Sequence, residues 1–181
     1  MDEGIDTGDL ILQRWVGIEP ADDAGSLGAR LAAIGAPLLA ESLGLAHAGA
    51  APRRSQDRAA GGYARKLVKA DGAIDWRLDA VAIWNRQRAV TPWPGASTTW
   101  RERPLQILKS RPEHSLPVGA PGAVVGVDAE GVVVACGAGA LRLLEVKPEG
   151  RDAMPAADWA RGARVEPGGS FAGETRKETH A

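Results

Sequence analysis

The run DLILQRWVGI, Asp9 to Ile18, is short and rich in branched apolar residues, and it predicts a strand. EPADDAG follows as a turn whose acidic residues suit a helix N-terminus. From Ser26 onward Leu27, Leu31, Ile34, Leu38 and Leu45 recur every three or four positions or at multiples of that step. This predicts an amphipathic helix ending near Ala48–Gly49. Pro37 falls inside it and should cost about 3 kcal/mol or force a kink. A strand followed by a helix is the closing unit of an α/β layer. One such unit cannot cover both faces of a sheet, so it needs partners that these residues do not supply.

The pattern then lapses. Ala48 to Gly62, AGAAPRRSQDRAAGG, is small, polar and glycine-rich and reads as a linker, and a second compact region begins near Tyr63. In Leu78 to Val90 a stripe of Leu78, Val81 and Trp84 predicts a short helix, stopped by the two prolines of TPWPG. Beyond it the apolar runs shorten to STTW, LQILKS, GAVVGV, GVVVACG and ALRLLEV, divided by turn-forming segments. Closely spaced short strands of this kind predict a small barrel or sandwich. Met154 to Gly162, MPAADWARG, reads as one or two helical turns, and the polar end of the chain as disordered. The expected divisions are an α/β piece over 1–49, a linker over 50–62, a mostly-β domain over 63–171 and a tail over 172–181.

Composition adds little beyond this. The 181 residues are 44% hydrophobic and only 4% aromatic, so core volume must come from Leu, Val, Ile and Ala. A single cysteine, Cys136, rules out an internal disulfide and a cysteine-based metal site; within VVVACG it reads as a small core residue. No stretch is read as approaching the roughly 20 apolar residues of a membrane span. The N-terminus MDEGIDTGD lacks the pattern of a secretion signal, so the expected location is cytosolic. The net charge of −1 hides an asymmetry: residues 51–112 carry 13 basic and 5 acidic side chains, while residues 1–50 carry 2 and 8. A basic middle between acidic flanks fits contact with a polyanion, and chance clustering of solvated Arg fits it too.

The sharpest local feature is MDEGIDTG ahead of the first apolar run. A carboxylate in a glycine-flanked turn before a strand is presented rigidly. The D-T-G of an aspartic protease is one reading, but it needs a second such loop or a symmetric dimer, and here a long helix follows. An Asp that merely holds a turn is another. The motif has company, however. In order come DAGSLGARLAAIGAPLL, YARKL, DGAIDW, RAVTPWPGA and LLEVKPEGRDAMPAADWARG. Together, from Met1 to about Phe171, these resemble the methionyl-tRNA formyltransferases. Gln87, Val90, Thr91, Gly62 and Pro37 depart from that family's pattern.

The resemblance implies the end of a Rossmann-like formyltransferase domain followed by a mostly-β, OB-like barrel that holds tRNA. It implies transfer of a formyl group from 10-formyltetrahydrofolate to the amino group of initiator methionyl-tRNA. The amine must shed a proton as it attacks and an oxyanion must be stabilised, which calls for a proton shuttle and a hydrogen-bond donor. The family uses an Asn, a His and an Asp. Asp6 matches the Asp, and Gly4 and Gly8 match the joints that let the loop approach the folate. His47, His114 and His180 stand in no Asn-x-His context and read as surface residues. The expectation is therefore a partial chain, from a truncated record or misplaced start, that does not formylate by itself. The full-length protein is expected to be a monomer without metal.

For tRNA, Arg65, Lys66, Lys69, Arg86, Arg88, Arg101 and Arg103 are the candidate phosphate contacts. Trp76 and Trp93 are read as packed beside turns rather than as stacking platforms. Two other classes stay open: a stand-alone RNA-binding barrel without catalysis, and a fragment of a related sugar or folate formyltransferase. KPEGRDAMPAADWARG favours the tRNA enzyme over the latter.

Overall fold

A computed structural model describes Gly4, residues 6–57, Gly62, residues 64–113 and residues 119–172. The chain divides into two compact units, residues 1–66 and residues 67–181. His114, His180 and the polar tail beyond Ala172 lie outside the described residues.

The first unit is built on α1, Ala24–His47. The acidic turn caps it as expected. The Asp23 carboxylate accepts from the Ser26 N–H at 2.8 Å and the Ser26 hydroxyl accepts from the Asp23 N–H at 3.0 Å, a reciprocal box that satisfies two end groups. The helix runs through Pro37 as one element. None of its residues is buried. By length and composition α1 is also apolar enough to cross a membrane, with a mean hydropathy of 1.3 over its best window, which corrects the expectation that no segment approaches a span. Alanine, glycine and leucine fill most of the helix, and its charged side chains are few and far apart.

The strand expected over Asp9–Ile18 does not form. Leu10 and Arg54 make one antiparallel bridge, with N–H to O distances of 2.9 and 3.1 Å, and the remainder of that run lies outside any ladder. Trp15 and Ile18 are exposed. A run of branched residues becomes a strand only when a neighbouring strand takes its backbone groups, and among the described residues Arg54 alone does so. The segment read as a linker supplies that partner.

The second unit opens with a 3-10 turn, Lys69–Gly72, then α2, Ala80–Ala89, capped by the Asp79 carboxylate on the Val81 N–H at 2.8 Å. Strands β1 (Ala96–Trp100), β2 (Arg103–Glu113), β3 (Val124–Asp128), β4 (Gly131–Ala135) and β5 (Ala140–Pro148) follow. A two-residue β6, Met154–Pro155, then leads into α3, Ala156–Ala163, and β7, Phe171–Ala172, ends the unit. The five predicted strands and both short helices are therefore present. Neighbouring strands run antiparallel in the order β3-β4-β5-β2-β1-β7, with β6 beside β5. The sheet curls until its ends meet: Ala123, before β3, bridges Ser170, before β7. The Val124 N–H donates to Gly169 O at 2.7 Å and the Phe171 N–H to Gly122 O at 2.8 Å.

Leu105, Ile107, Val132, Val134, Leu141, Leu143 and Val146 fill the interior. Beside them Trp76, Trp100, Trp159 and Phe171 pack with ring centroids 5.0–6.0 Å apart. The α2 helix covers β2 and β5, and α3 covers β4 and β5. Its buried face corrects the predicted stripe: Leu78 and Val81 are exposed, whereas Ala80, Ile83 and Gln87 face the core. The physical reason lies in β2. Its register against β5 slips on both sides of Lys109, leaving Leu108 without a ladder partner across the bulge. The Gln87 amide donates to Leu108 O at 2.8 Å and its oxygen accepts from the Ser110 hydroxyl at 3.0 Å. A long polar side chain is buried because the strand beneath it has groups to satisfy.

Candidate functional site

Asp6 adopts a left-handed backbone, φ 56°, in the loop that the sequence singled out. Asp is among the few non-glycine residues that enter this region readily. Its side chain is exposed. Two backbone carbonyls of the loop, Asp6 O and Gly8 O, accept from the Gln56 side-chain amide at 3.1 and 2.6 Å, and the Ser55 hydroxyl reaches Asp9 Oδ1 at 3.3 Å. Residues 54–56 thus fasten the loop along its length. Gly4 lies against the Thr7 side chain with no space for a Cβ, which explains a glycine at that joint. Among the described residues no imidazole or amide is hydrogen-bonded to the Asp6 carboxylate. His47, the one described histidine, sits exposed at the end of α1.

The candidate phosphate contacts fall in different settings. Arg65 and Lys66 are exposed at the end of the first unit, and the Arg65 guanidinium donates to Lys66 O at 3.0 Å. In the second unit Lys69 is exposed on the 3-10 turn. Arg86 is tied to that turn, donating to Asp71 O at 3.0 Å and lying 3.8 Å from the Asp71 carboxylate. The Arg88 guanidinium lies 4.1 Å from the centroid of the Trp84 ring. Arg101 and Arg103 are exposed at the β1–β2 turn, where Arg101 and Glu102 both have positive φ.

Of the two tryptophans read as packed, Trp76 is buried, its Nε1–H donating to Thr98 Oγ1 at 3.1 Å. Trp93 is the reverse, 61% exposed. The turn it occupies has proline on either side.

Two features escaped the sequence reading. One is a groove of about 350 Å³ lined by Trp100, Arg103, Leu105, Arg151, Met154 and Trp159, among others. Its walls come from β1, β2, the end of β5 and α3, so no spacing along the chain announces it. The other is a charged cluster around Arg142, a buried residue in the middle of β5. Its guanidinium meets Glu113 and Asp128, each at 2.6 Å, and Arg111 meets Glu130 nearby at 2.7 Å. The hydrogen bond from Arg142 holds the Asp128 carboxyl below the usual carboxylate range. An Arg amid ALRLLEV was the available signal.

Residues 66–164 match the formyl transferase C-terminal domain. The methionyl-tRNA formyltransferase of Solibacter usitatus is 48% identical over 165 residues, 91% of this chain and 52% of that protein. Those of Geobacter metallireducens and Anaeromyxobacter dehalogenans are 41% and 46% identical, covering 93% and 91% of this chain and 53% and 54% of their own. The chain spans about half the length of these relatives. Among solved structures, a substituted variant of HypX from Aquifex aeolicus superposes with a TM-score of 0.64 at 19% identity, covering 94% of this chain and 30% of that one. HypX in complex with tetrahydrofolic acid superposes with a TM-score of 0.62 at 20% identity, covering 88% and 28%. At such identities the likeness is one of fold.

Proposed function

We propose, since this chain belongs to the formyl transferase C-terminal domain family, that it works as part of a methionyl-tRNA formyltransferase. The reaction moves a formyl group from 10-formyltetrahydrofolate to the amino group of methionine on initiator tRNA. The observation that carries this reading is the match to proteins of that name at 41–48% identity over more than nine-tenths of the chain.

In this reading residues 67–172 are an OB-like barrel holding tRNA, and the first unit is the last piece of a Rossmann-like layer whose remainder covers the exposed leucines of α1. Lys69, Arg101 and Arg103, with Arg65, Lys66, Arg86 and Arg88, meet phosphates by charge. Asp6 is the carboxylate of the catalytic trio. An imidazole beside it would be held in one tautomer and favoured in its protonated form, ready to pass on the proton that the attacking amine sheds. Gly4 and Gly8 shape the loop for close approach of the folate. As a translation enzyme the protein would reside in the cytosol.

The test joins the N-terminal half of the Solibacter usitatus relative ahead of this chain and measures formylation of methionyl-initiator-tRNA. The hybrid is expected to turn over, Asp6→Asn to lower its rate by about a hundredfold or more, and the 181-residue chain alone to show none. Turnover by the chain alone would refute the partial-chain reading, and an Asp6→Asn hybrid as fast as its parent would refute the assignment of Asp6.

A second reading, a free-standing RNA-binding barrel, is favoured by the self-contained core of residues 67–172. The DNA just upstream of Met1 separates them: an in-frame stretch encoding Asn-x-His favours the enzyme, and a stop codon favours the module.

A further inference from the structure

Trp93 presents more than half of its surface to water although the chain has only six tryptophans and buries three of them in one cluster. Its position is fixed. Pro92 and Pro94 restrict the backbone on either side, and the Gly95 N–H closes the turn on Val90 O at 2.8 Å. The turn is also locked to the 3-10 turn. Gly72 packs against the Gly95 carbonyl so closely that no Cβ would fit, with Pro94 Cγ 3.5 Å from that position. The turn carrying Trp93 therefore packs against the turn that carries Lys69.

The charges along residues 67–100 are arranged unevenly. Each carboxylate there is engaged within the protein: Asp71 by the Val68 N–H at 2.7 Å and by Arg86, Asp75 by Arg77 at 2.7 Å, and Asp79 as the cap of α2. Lys69 projects to solvent, and the Arg86 side chain is 47% exposed beside Asp71. Trp84, the other tryptophan of this stretch that is not fully buried, is already covered by Arg88. What remains is an exposed indole on a turn that packs against the turn bearing Lys69. That is the combination by which proteins hold unpaired nucleotides: an aromatic face for the base and positive charge for the backbone.

We propose that Trp93 is a stacking platform for an unpaired base of RNA, with Lys69 drawing in the adjoining phosphate. The proposal rests on the tRNA-binding reading and adds to it a residue and a mode of contact. Bases within a duplex are already stacked, so the occupant is a nucleotide in a loop or at an end. The contribution of the ring is insensitive to salt, unlike that of Lys69.

The experiment measures binding of an unmodified initiator tRNA transcript to the full chain across a range of salt concentrations, for the parent, Trp93→Ala, Trp93→Phe and Lys69→Gln. Trp93→Ala is expected to weaken binding about tenfold with an unchanged salt slope, and Trp93→Phe to restore most of it. Lys69→Gln should instead reduce the slope by about one. If Lys69→Gln weakens binding and Trp93→Ala does not, stacking is refuted while RNA binding stands. Should the parent fail to bind the transcript even at low salt, the tRNA reading falls and the platform with it. A Trp93→Ala chain that melts several degrees lower yet binds as well as the parent would identify the ring as a protein contact and overturn the proposal.

Discussion

Gln87 offers the most demanding test of how the second unit is held together. It is 3% exposed, and its amide group reaches Leu108 O at 2.8 Å, Thr91 Oγ1 at 3.2 Å and the Ser110 hydroxyl at 3.0 Å. Replacing it with alanine removes all three contacts. A buried hydrogen bond contributes about 1 kcal/mol net, and a buried group left without a partner costs about 1–3 kcal/mol. Thr91 keeps its bond to Gln87 O at 2.8 Å, so the loss falls on the Leu108 carbonyl and the Ser110 hydroxyl. Gln87→Ala is therefore expected to destabilise the second unit by about 3 kcal/mol. The assay is urea unfolding followed by tryptophan fluorescence, since five of the six tryptophans lie in residues 67–181. Ser110→Ala supplies the second arm. Alone it should cost about 1 kcal/mol, and in the Gln87→Ala background almost nothing, because its partner is already gone. A loss below about 1 kcal/mol for Gln87→Ala, or two fully additive changes, would refute the claim that the glutamine serves the bulge in β2.

Two other outcomes follow from named groups. Burial pushes the Cys136 thiol up to about 12, so in the native protein it should resist a thiol reagent at pH 8 and react only as the chain unfolds, one equivalent per chain. Prompt stoichiometric labelling of folded protein would contradict its placement. The side-chain hydrogen bond from Arg77 holds the Asp75 carboxyl down to about 2. Because this folded value lies below the unfolded one of about 3.9, the pair's contribution is present above the unfolded value and is lost as pH falls through about 2. The pair is exposed, so the contribution is small. Arg77→Ala should lower the urea midpoint slightly at pH 6 and by clearly less at pH 2, and an equal loss at both would show that the ion pair is not responsible.

The second unit was far more legible than the first, for a reason visible in single elements. Val132 to Cys136 is a short apolar run that suits a buried strand, Leu141 to Val146 carries Leu141, Leu143 and Val146 toward the core, and a turn with glycine separates them. The face of α2 was misread because Gln87 counts as polar along the sequence, while the bulge that makes it welcome in the core lies about twenty residues away. Arg142 was hidden for the same reason, since its carboxylate partners come from β2 and β3. In the first unit the apolar run after Asp9 has the composition of a strand but, among the described residues, meets Arg54 alone. Pairing is a property of two segments, and one of them tells only half of it. The glycine loop around Asp6 was found by its motif, yet nothing in that motif indicates that Gln56 fastens it.

The bridge between Ala123 and Ser170 fixes the order in which this molecule can be assembled. Strands β1 to β5 are all synthesised before Ser170, which joins Ala123 to clasp the two ends of the sheet, and Phe171, which packs on the three buried indoles, follows directly. During synthesis the aromatic interior stays open until residues 169–171 have been made and can turn back onto residues 122–124.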